Sequence, residues 1–160
     1  MTALVPTLED AIILATQAHR NAVDLDSREY ILHPLRVMLS FTDREDTDAR
    51  MVAVLHDIVE DTEVTVEDLL EMGYSLQVVA AIQSLSRNER ETYENYIRRL
   101  STNKLAVKVK LADLKDNLDP KRHSTSLLKS VMIQRYREAL TYLQEIITDQ
   151  AKAALTASGD

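Results

Sequence analysis

The chain has 160 residues, of which 45% are hydrophobic and 28% are charged, a profile typical of one soluble globular domain spanning residues 1–160. It contains no cysteine, which excludes disulfide bonds and thiolate metal sites. The formal net charge of −7 argues against nucleic acid as a partner, because no basic excess is available to replace phosphate counterions.

The hydropathy pattern predicts a cytoplasmic protein with no membrane partner. No apolar run approaches the length of a membrane span, and residues 1–6 lack the basic start of a signal peptide. Two glycines and three prolines leave few turns for a β-sandwich, so we expect an all-α fold.

Capping residues and prolines mark the predicted helix starts, which are Thr7 with Asp10, His33-Pro34, Asp46 or Thr47, Thr65 with Asp68, Ser75 and Thr92. The polar residues 21–30 predict a loop, and Gly73 is a plausible helix stop. Residues 105–111 alternate like a strand, but a lone strand would have no partner, so we predict a helix that continues to Asn117. A long last helix is expected from about residue 126 to residue 155.

Residues 53–61 carry charged side chains at helical spacing. His56, Asp57, Glu60 and Asp61 lie three or four positions apart, so all four can project from one side of a helix. Apolar residues on the other side would anchor that helix in a core. Three carboxylates and an imidazole on one face favour a metal ion, and a solvated face is the alternative for this stretch alone.

Two further motifs complete a set that resembles a known superfamily. His33 precedes Pro34 at a helix start, and Asp113 lies in the sequence KLADLKDN. The order H-P, then H-D-x-x-E-D, then K-L-A-D-x-x-D-N resembles the HD superfamily of metal-dependent phosphohydrolases. It is most similar to the alarmone-hydrolase branch, which comprises the hydrolase domain of Rel/SpoT proteins and the small stand-alone SpoT homologues. The resemblance runs from about His19 to Tyr136 and implies an HD-domain helical bundle.

The resemblance implies that His33, His56, Asp57 and Asp113 are metal ligands. Two imidazoles and two carboxylates suit a divalent ion such as manganese, iron or cobalt, with zinc also compatible, and similar enzymes of this branch use manganese. In these enzymes a metal-bound hydroxide attacks the 3′-diphosphate of (p)ppGpp and releases pyrophosphate.

Glu60 and Asp61 match the paired acids that mark this branch. Glu60 is the candidate for aligning or deprotonating the nucleophilic water, and Asp61 would assist the proton or orient its neighbour. Acidic residues are unfavourable in the last turn of a helix, which prefers cations, and this mismatch favours a functional role.

The candidate substrate-binding residues are also carried by the resemblance. Asn117 and Tyr136 match positions that hold the nucleotide, and Arg20 matches a position at the end of the first helix. Lys110 is a candidate cation of the pocket. A core position for Tyr136 and a solvated position for Lys110 are the alternatives.

The chain departs from the family where the substrate is held. The loop of residues 21–29 is usually basic, but here it has three acids and a single arginine. Met132 stands where alarmone hydrolases often have an arginine, with Lys129 and Arg135 nearby as substitutes. Lys121, Arg122 and His123, after Pro120, could also compensate for the missing cations.

The leading hypothesis is therefore a metal-dependent nucleotide phosphohydrolase that resembles (p)ppGpp 3′-pyrophosphohydrolases. The alternative keeps the site and changes the substrate to a deoxynucleoside triphosphate, another nucleotide or NADPH. A non-catalytic nucleotide sensor is a third hypothesis, which the presence of both Glu60 and Asp61 disfavours. The long last helix could form a homo-oligomer or complete the core.

Overall fold

The computed structural model describes residues 5–42, 46–122 and 130–157. Its helices, in chain order, are α1 Leu8–Ala18, α2 Leu32–Leu39, α3 Thr47–Leu55, α4 Ile58–Asp61, α5 Val66–Glu71, α6 Leu76–Leu85, α7 Tyr93–Leu100, α8 Lys104–Leu118 and α9 Ser130–Ala157. Within these ranges there is no β-strand, and an isolated bridge joins Val23 to Glu29 inside the predicted loop. The all-α prediction is confirmed. None of the described helices is both long enough and apolar enough to cross a membrane.

Local capping interactions place most helix starts where they were predicted. Thr7 and Thr65 each form a full capping box, with Asp10 and Asp68 respectively. Ser75 and Thr92 accept hydrogen bonds from the backbone of the first turns of α6 and α7. These bonds satisfy N–H groups that would otherwise have no partner at a helix start. Because they join residues three apart, they can be recognised in the sequence.

The central stretch differs from the prediction, because its helix is interrupted. The helix predicted across residues 53–61 ends at Leu55 and resumes at Ile58. Between them, Asp57 has φ −101° and ψ 0°, outside the helical range. Consequently the four charged residues do not share one continuous helical face.

Two other boundaries also bear on the predictions. Helix α2 begins at Leu32, one residue before the predicted start at His33, and ends at Leu39. Helix α9 is described from Ser130, so the predicted start near residue 126 lies outside the described residues, as do the candidate cations His123 and Lys129.

Helix α8 explains the misleading alternation in residues 105–111. It is a helix, as predicted, and it packs against two separate hydrophobic clusters. Ala106 and Val109 belong to the larger cluster, which α1, α2, α3, α5 and α6 complete, whereas Val107 and Leu114 belong to a smaller cluster with α7 and α9. Burial on two sides places apolar residues at more positions than one amphipathic stripe would require.

The same packing brings three chain segments together at the site. Helix α3 is buried along most of its length and contacts α1, α2, α6 and α8. Its C-terminal end, the start of α2 and the middle of α8 therefore converge beside the larger cluster. Each of these elements carries one part of the predicted metal site.

Candidate metal centre

His56 lies at the interruption between α3 and α4, with its side chain buried. Its Nδ1 donates to the backbone oxygen of Ala53 at 2.7 Å, because a carbonyl can only accept a hydrogen bond. Its Nε2 faces two carboxylates, with Asp57 Oδ2 at 2.8 Å and Asp113 Oδ1 at 3.5 Å. This buried Nε2 has no hydrogen-bond partner among the described residues.

His33, in the first turn of α2, is oriented in the same way. Its Nδ1 lies 2.7 Å from Asp116 Oδ2, and a carboxylate in that position accepts the Nδ1 proton. Its Nε2 faces Asp113 Oδ1 at 3.0 Å and Asp57 Oδ2 at 3.7 Å. A carboxylate behind a histidine is the usual device that fixes the tautomer of a metal-binding imidazole.

The charges in this cluster shift the pKa values of its members strongly. Burial alone would lower the pKa of His56, but the carboxylates of Asp57 and Asp113 hold it well above its usual value. Burial would raise the pKa of Asp113, yet Lys110 and the imidazoles hold it well below its usual range. The pKa of Asp57 is likewise lowered, because His56 outweighs the effect of burial. The cluster therefore stabilises the ionised carboxylates of Asp57 and Asp113 and a positive charge beside them.

This donor set fits a metal ion. Ligand atoms of His33, His56 and Asp113 lie within 4.8 Å of one another, and all three residues are buried. With both Nδ1 protons directed away, neutral imidazoles would present two nitrogen lone pairs beside the carboxylate oxygens, and all of these atoms are acceptors. Without a cation, the raised pKa of His56 keeps a proton among them. Acceptors that face one another without a shared proton repel, so a cation at their centre would stabilise them. Asp57 lies beside this group and accepts a hydrogen bond from the Tyr30 hydroxyl.

A second layer of hydrogen bonds holds the carboxylates. Lys110 Nζ donates to Asp113 Oδ2 at 2.7 Å, and Asn117 Nδ2 donates to Asp113 Oδ1 at 2.6 Å. Arg122 Nη1 lies 3.0 Å from Asp116 Oδ2 and also donates to Asn117. The side chain of Arg122 is only 6% exposed, so the turn after Pro120 directs this cation inward. The arrangement ties both carboxylates of α8 to fixed cations.

A cavity of about 500 Å³ opens onto this cluster, a size within the range of small-molecule sites. Predicted site residues that line it are His33, Asp57, Glu60, Lys110, Asp113, Asn117 and Tyr136. His56 is buried. Arg20 and Asp61 are exposed and are not part of the cavity lining. Asp61 nevertheless lies near Asp57 and Glu60, whose charges raise its pKa.

The paired acids have different surroundings. Glu60 Oε2 accepts a hydrogen bond of 2.8 Å from the backbone N–H of Arg87, in the connection between α6 and α7. Asp61 forms no such bond to that connection among the described contacts. Partial burial, together with the charges of Asp57 and Glu60, raises the pKa of Asp61 to about 6. The two acids are therefore not equivalent, although they are adjacent in the chain.

Sequence reasoning assigned no role to Asp116, Tyr30 or Arg87. Asp116 holds the Nδ1 proton of His33 and the guanidinium of Arg36, whose Nε donates to Asp116 Oδ1 at 2.8 Å. A signal existed for it, since Asp113 and Asp116 are three apart on a helix and a metal-binding histidine needs an acceptor behind it. No local signal could have placed the Arg87 N–H beside Glu60, 27 residues earlier.

Comparisons with curated proteins find similarity over most of the chain. It is 25% identical over 123 residues to the bifunctional (p)ppGpp synthase/hydrolase SpoT of Escherichia coli (strain K12), covering 69% of this chain and 17% of that protein. It is 24% identical over 126 residues to the guanosine-3′,5′-bis(diphosphate) 3′-pyrophosphohydrolase of Vibrio cholerae, covering 71% of this chain and 18% of the relative. The chain thus spans less than a fifth of the length of these relatives.

No protein-family model matches the chain. A solved structure described as a metazoan ortholog of SpoT that hydrolyzes ppGpp has a similar fold, with a TM-score of 0.65 and 21% identity. The similarity covers 91% of this chain and 87% of that structure, which confirms the HD-type helical fold. The resemblance to Rel/SpoT hydrolases that the motifs predicted is therefore confirmed, by sequence similarity to bacterial enzymes and by a fold shared with a metazoan ortholog.

Proposed function

We propose that this protein is a metal-dependent nucleotide phosphohydrolase that converts guanosine 3′,5′-bis(diphosphate) to GDP and pyrophosphate. The observation that carries the proposal is the buried group of His33, His56 and Asp113, whose ligand atoms lie within 4.8 Å of one another beside a cavity of about 500 Å³. The names of the similar proteins supply the substrate and the reaction.

The proposed ligands are His33, His56, Asp57 and Asp113, and manganese is the proposed ion. A divalent ion bound there would lower the pKa of a coordinated water and polarise the phosphoryl oxygen under attack. Asp116 and the Ala53 carbonyl keep the Nε2 lone pairs of the two imidazoles directed inward. Both rings would therefore be ready to bind without changing tautomer.

Glu60 is the proposed general base or water-aligning group. Its Oε2 is held by the Arg87 N–H, and no protein donor contacts Oε1 within the described residues. A carboxylate held by one oxygen can present the other to a water molecule in the cavity. Asp61 is proposed to assist the proton, since its raised pKa of about 6 allows it to exchange protons near neutral pH.

Four cations that line the cavity are proposed to contact the phosphates in place of the missing basic loop. Lys110 and Arg122 lie at the inner end, whereas Arg87 and Arg135 are exposed at the outer end. Lys110 is on α8 and Arg135 on α9, whereas Arg122 follows α8 and Arg87 lies between α6 and α7, so none of the four comes from residues 21–29. Arginine and lysine bind phosphate through charge-assisted hydrogen bonds, so their origin along the chain does not matter. Asn117 and Tyr136 line the same cavity and are proposed nucleotide contacts, while Arg20 stays a prediction from the motif.

A turnover assay with a nucleotide panel tests the function. Manganese-loaded protein is incubated with guanosine tetraphosphate, the four deoxynucleoside triphosphates and NADPH, and chromatography identifies each product. We expect GDP and pyrophosphate from guanosine tetraphosphate, with no turnover after chelation. Turnover of another panel member alone would refute the substrate and keep the reaction class. Binding without turnover of any member, with metal present, would indicate a sensor instead.

A further inference from the structure

The connection between α6 and α7, residues 86–92, holds Glu60 but has few apolar anchors of its own. Residues 87–90 read Arg-Asn-Glu-Arg and are all exposed. An exposed polar connection without buried side chains is usually among the more mobile parts of a fold. Yet this connection supplies the N–H group that contacts Glu60 Oε2 at 2.8 Å. Something else must hold it in place.

One ion pair makes that attachment. Arg99 on α7 donates through Nε to Glu91 Oε1 and through Nη2 to Glu91 Oε2, both at 2.8 Å, so the pair is bidentate. The Glu91 carboxylate also accepts from the backbone N–H of Asn88 at 3.3 Å, and the Glu91 carbonyl accepts from Arg87 Nε at 3.0 Å. The side chain of Glu91 is only 12% exposed. Bidentate arginine–carboxylate pairs impose both distance and direction.

The same guanidinium fixes the end of α6. Arg99 Nη1 donates to the Ser84 carbonyl at 3.2 Å, and Nη2 donates to the Ser86 carbonyl at 2.9 Å. Tyr96, one turn earlier on α7, donates from its hydroxyl to the Leu85 carbonyl at 2.6 Å. These carbonyls lie in the last turn of a helix or just after it, where they have no intrahelical partner. Helix α7 thus caps α6 and restrains the connection that follows it.

We infer that Arg99 and Glu91 are positioning residues, which hold residues 86–92 so that the Arg87 N–H orients the Glu60 carboxylate towards the cavity. This inference rests on the proposed role of Glu60. The Arg99 guanidinium holds the Glu91 carboxylate and the Ser86 carbonyl. These two residues fix the backbone of Arg87, which lies between them. The N–H of Arg87 then holds the Glu60 carboxylate. Neither Arg99 nor Glu91 lines the cavity, so they act without touching the substrate.

The neighbouring arginine provides a matched control. Arg98 pairs with Glu94 at 2.7 Å on the same helix, but both side chains are largely exposed, at 66% and 73%. Such a surface pair contributes little to stability and contacts no part of the connection. Arg98→Lys and Glu94→Gln therefore repeat the same chemical changes on the exposed side of α7, away from the connection.

The first test is kinetic. In Arg99→Lys and in Glu91→Gln we expect kcat to fall by about tenfold to a hundredfold with metal content unchanged, the range seen for second-layer residues. KM should change by less than about threefold, because no substrate contact is removed. The two control variants should retain wild-type kcat. An unchanged kcat in Arg99→Lys would overturn the inference.

A double-mutant cycle separates positioning from a purely structural role. Arg99→Lys is combined with Glu60→Ala, which removes the carboxylate that Arg99 is inferred to position. We expect Arg99→Lys to cost nothing further in this background, because residues that act through one another are not additive. The same factor lost in both backgrounds would show that Arg99 acts through general stability and would refute the inference.

Amide hydrogen exchange gives a readout that does not need turnover. The Arg87 N–H should exchange slowly in the wild-type protein and in Arg98→Lys, and much faster in Arg99→Lys. If the wild-type protein hydrolyses no nucleotide, the proposed function fails while the exchange result still decides whether the ion pair holds the connection. Fast exchange of the Arg87 N–H in the wild-type protein would refute the positioning device itself.

Discussion

The inner and outer ends of the cavity are built in different ways. At the inner end, His33, His56 and Asp113 are buried, and each is held by hydrogen bonds to fixed partners. At the outer end, Val23 and Leu25 are 60% and 55% exposed, and Arg87 and Arg135 are exposed as well. Buried groups that are anchored by hydrogen bonds are held in one geometry, whereas exposed side chains sample several. We therefore expect the inner end to govern metal binding and chemistry, and the outer end to govern substrate affinity.

The difference between the two ends explains how the inner end can stay intact although residues 21–29 lack the basic side chains usual in the family. The inner end depends on residues from α2, α8 and the α3–α4 interruption, so substitutions in residues 21–29 leave its hydrogen bonds unchanged. Tyr30, at the end of that loop, is the exception, since its hydroxyl donates to Asp57. A change in the outer wall can alter which nucleotide binds while the hydrolytic groups stay in place.

The largest effect should come from an inner-end ligand. Asp57→Asn keeps the size of the side chain and its ability to accept from Tyr30, but it removes the negative charge beside His33 and His56. We expect bound metal to be lost and turnover to fall by at least about a hundredfold, more than the loss typical of second-layer residues. Metal analysis after dialysis and the turnover assay measure both quantities.

The matched control is Asp48→Asn, in the first turn of α3 and outside the cavity lining. It should keep both metal and turnover. Full metal content in Asp57→Asn would show that the buried histidines and Asp113 suffice, and would remove Asp57 from the ligand set.

The second-largest effect should be a loss of turnover with the metal still bound. Glu60→Gln retains an oxygen that can accept from the Arg87 N–H, but it loses the basic carboxylate. We expect turnover to fall by about a hundredfold to ten-thousandfold with metal content unchanged, the usual contribution of a general base. Glu63→Gln, three residues further and exposed, serves as the control. Wild-type turnover in Glu60→Gln would exclude the role assigned to it.

A smaller effect is expected at the outer end. Arg135 lies over the Tyr93 ring, with its guanidinium 5.3 Å from the ring centre, and it lines the cavity. In Arg135→Ala we expect KM for guanosine tetraphosphate to rise by about tenfold, because an exposed charge-assisted contact to phosphate is lost. Salt should raise the wild-type KM towards that of the variant, since exposed charges are screened.

Arg137→Ala, on the same helix and outside the cavity lining, is the control and should leave KM unchanged. A fall in kcat without a change in KM for Arg135→Ala would contradict the division between the two ends of the cavity.

The smallest effect is on stability and depends on pH. The pKa of Asp61 is about 6 in the folded protein, raised by burial and by Asp57 and Glu60, against an ordinary value of 3.8. The folded state therefore binds this proton more tightly, so stability falls as pH rises from about 4 to about 6 and the loss is complete above that range. With a chelator present to remove metal, the Asp61→Asn variant should have a higher melting temperature than the wild-type protein at pH 8. At pH 3.5 the two proteins should have the same melting temperature. Equal melting temperatures at pH 8 would refute the raised pKa.

Part of the site could be predicted because its motifs report local geometry. His33 before Pro34, His56-Asp57 and Asp113 were singled out in the sequence, and the structure gathers these residues in one cluster. The capping boxes at Thr7 and Thr65 were predictable for the same reason, since each joins residues three apart. The helix at residues 105–111 required a further argument, because its burial on two sides imitates the alternation of a strand.

The interruption of the helix at Asp57 could not be predicted from the spacing of residues in the sequence. Residues 53–61 have the pattern of an uninterrupted helix, and helical propensity is a weak constraint that tertiary packing overrides. In the folded chain, His56 and Asp57 are directed towards groups on α2 and α8, which are distant in sequence. Those contacts stabilise the irregular backbone, with the result that Glu60 lines the cavity and Asp61 does not.

By itself, the sequence determined the all-α class, most helix starts, the donor types of the candidate metal site and the kind of hydrolase that the chain resembles. These properties depend on spacings of a few residues and on side-chain chemistry, both of which are present in any stretch of chain. Only the tertiary structure decided that Asp116 stands behind His33, that Arg122 turns inward, and that Arg99 holds the backbone contacting Glu60. Arg122 returns to Asp116, six residues earlier, through the turn that follows α8. The contacts of Asp116 with His33 and of Arg87 with Glu60 join segments that meet only when the helices pack into the bundle, so no local pattern encodes them.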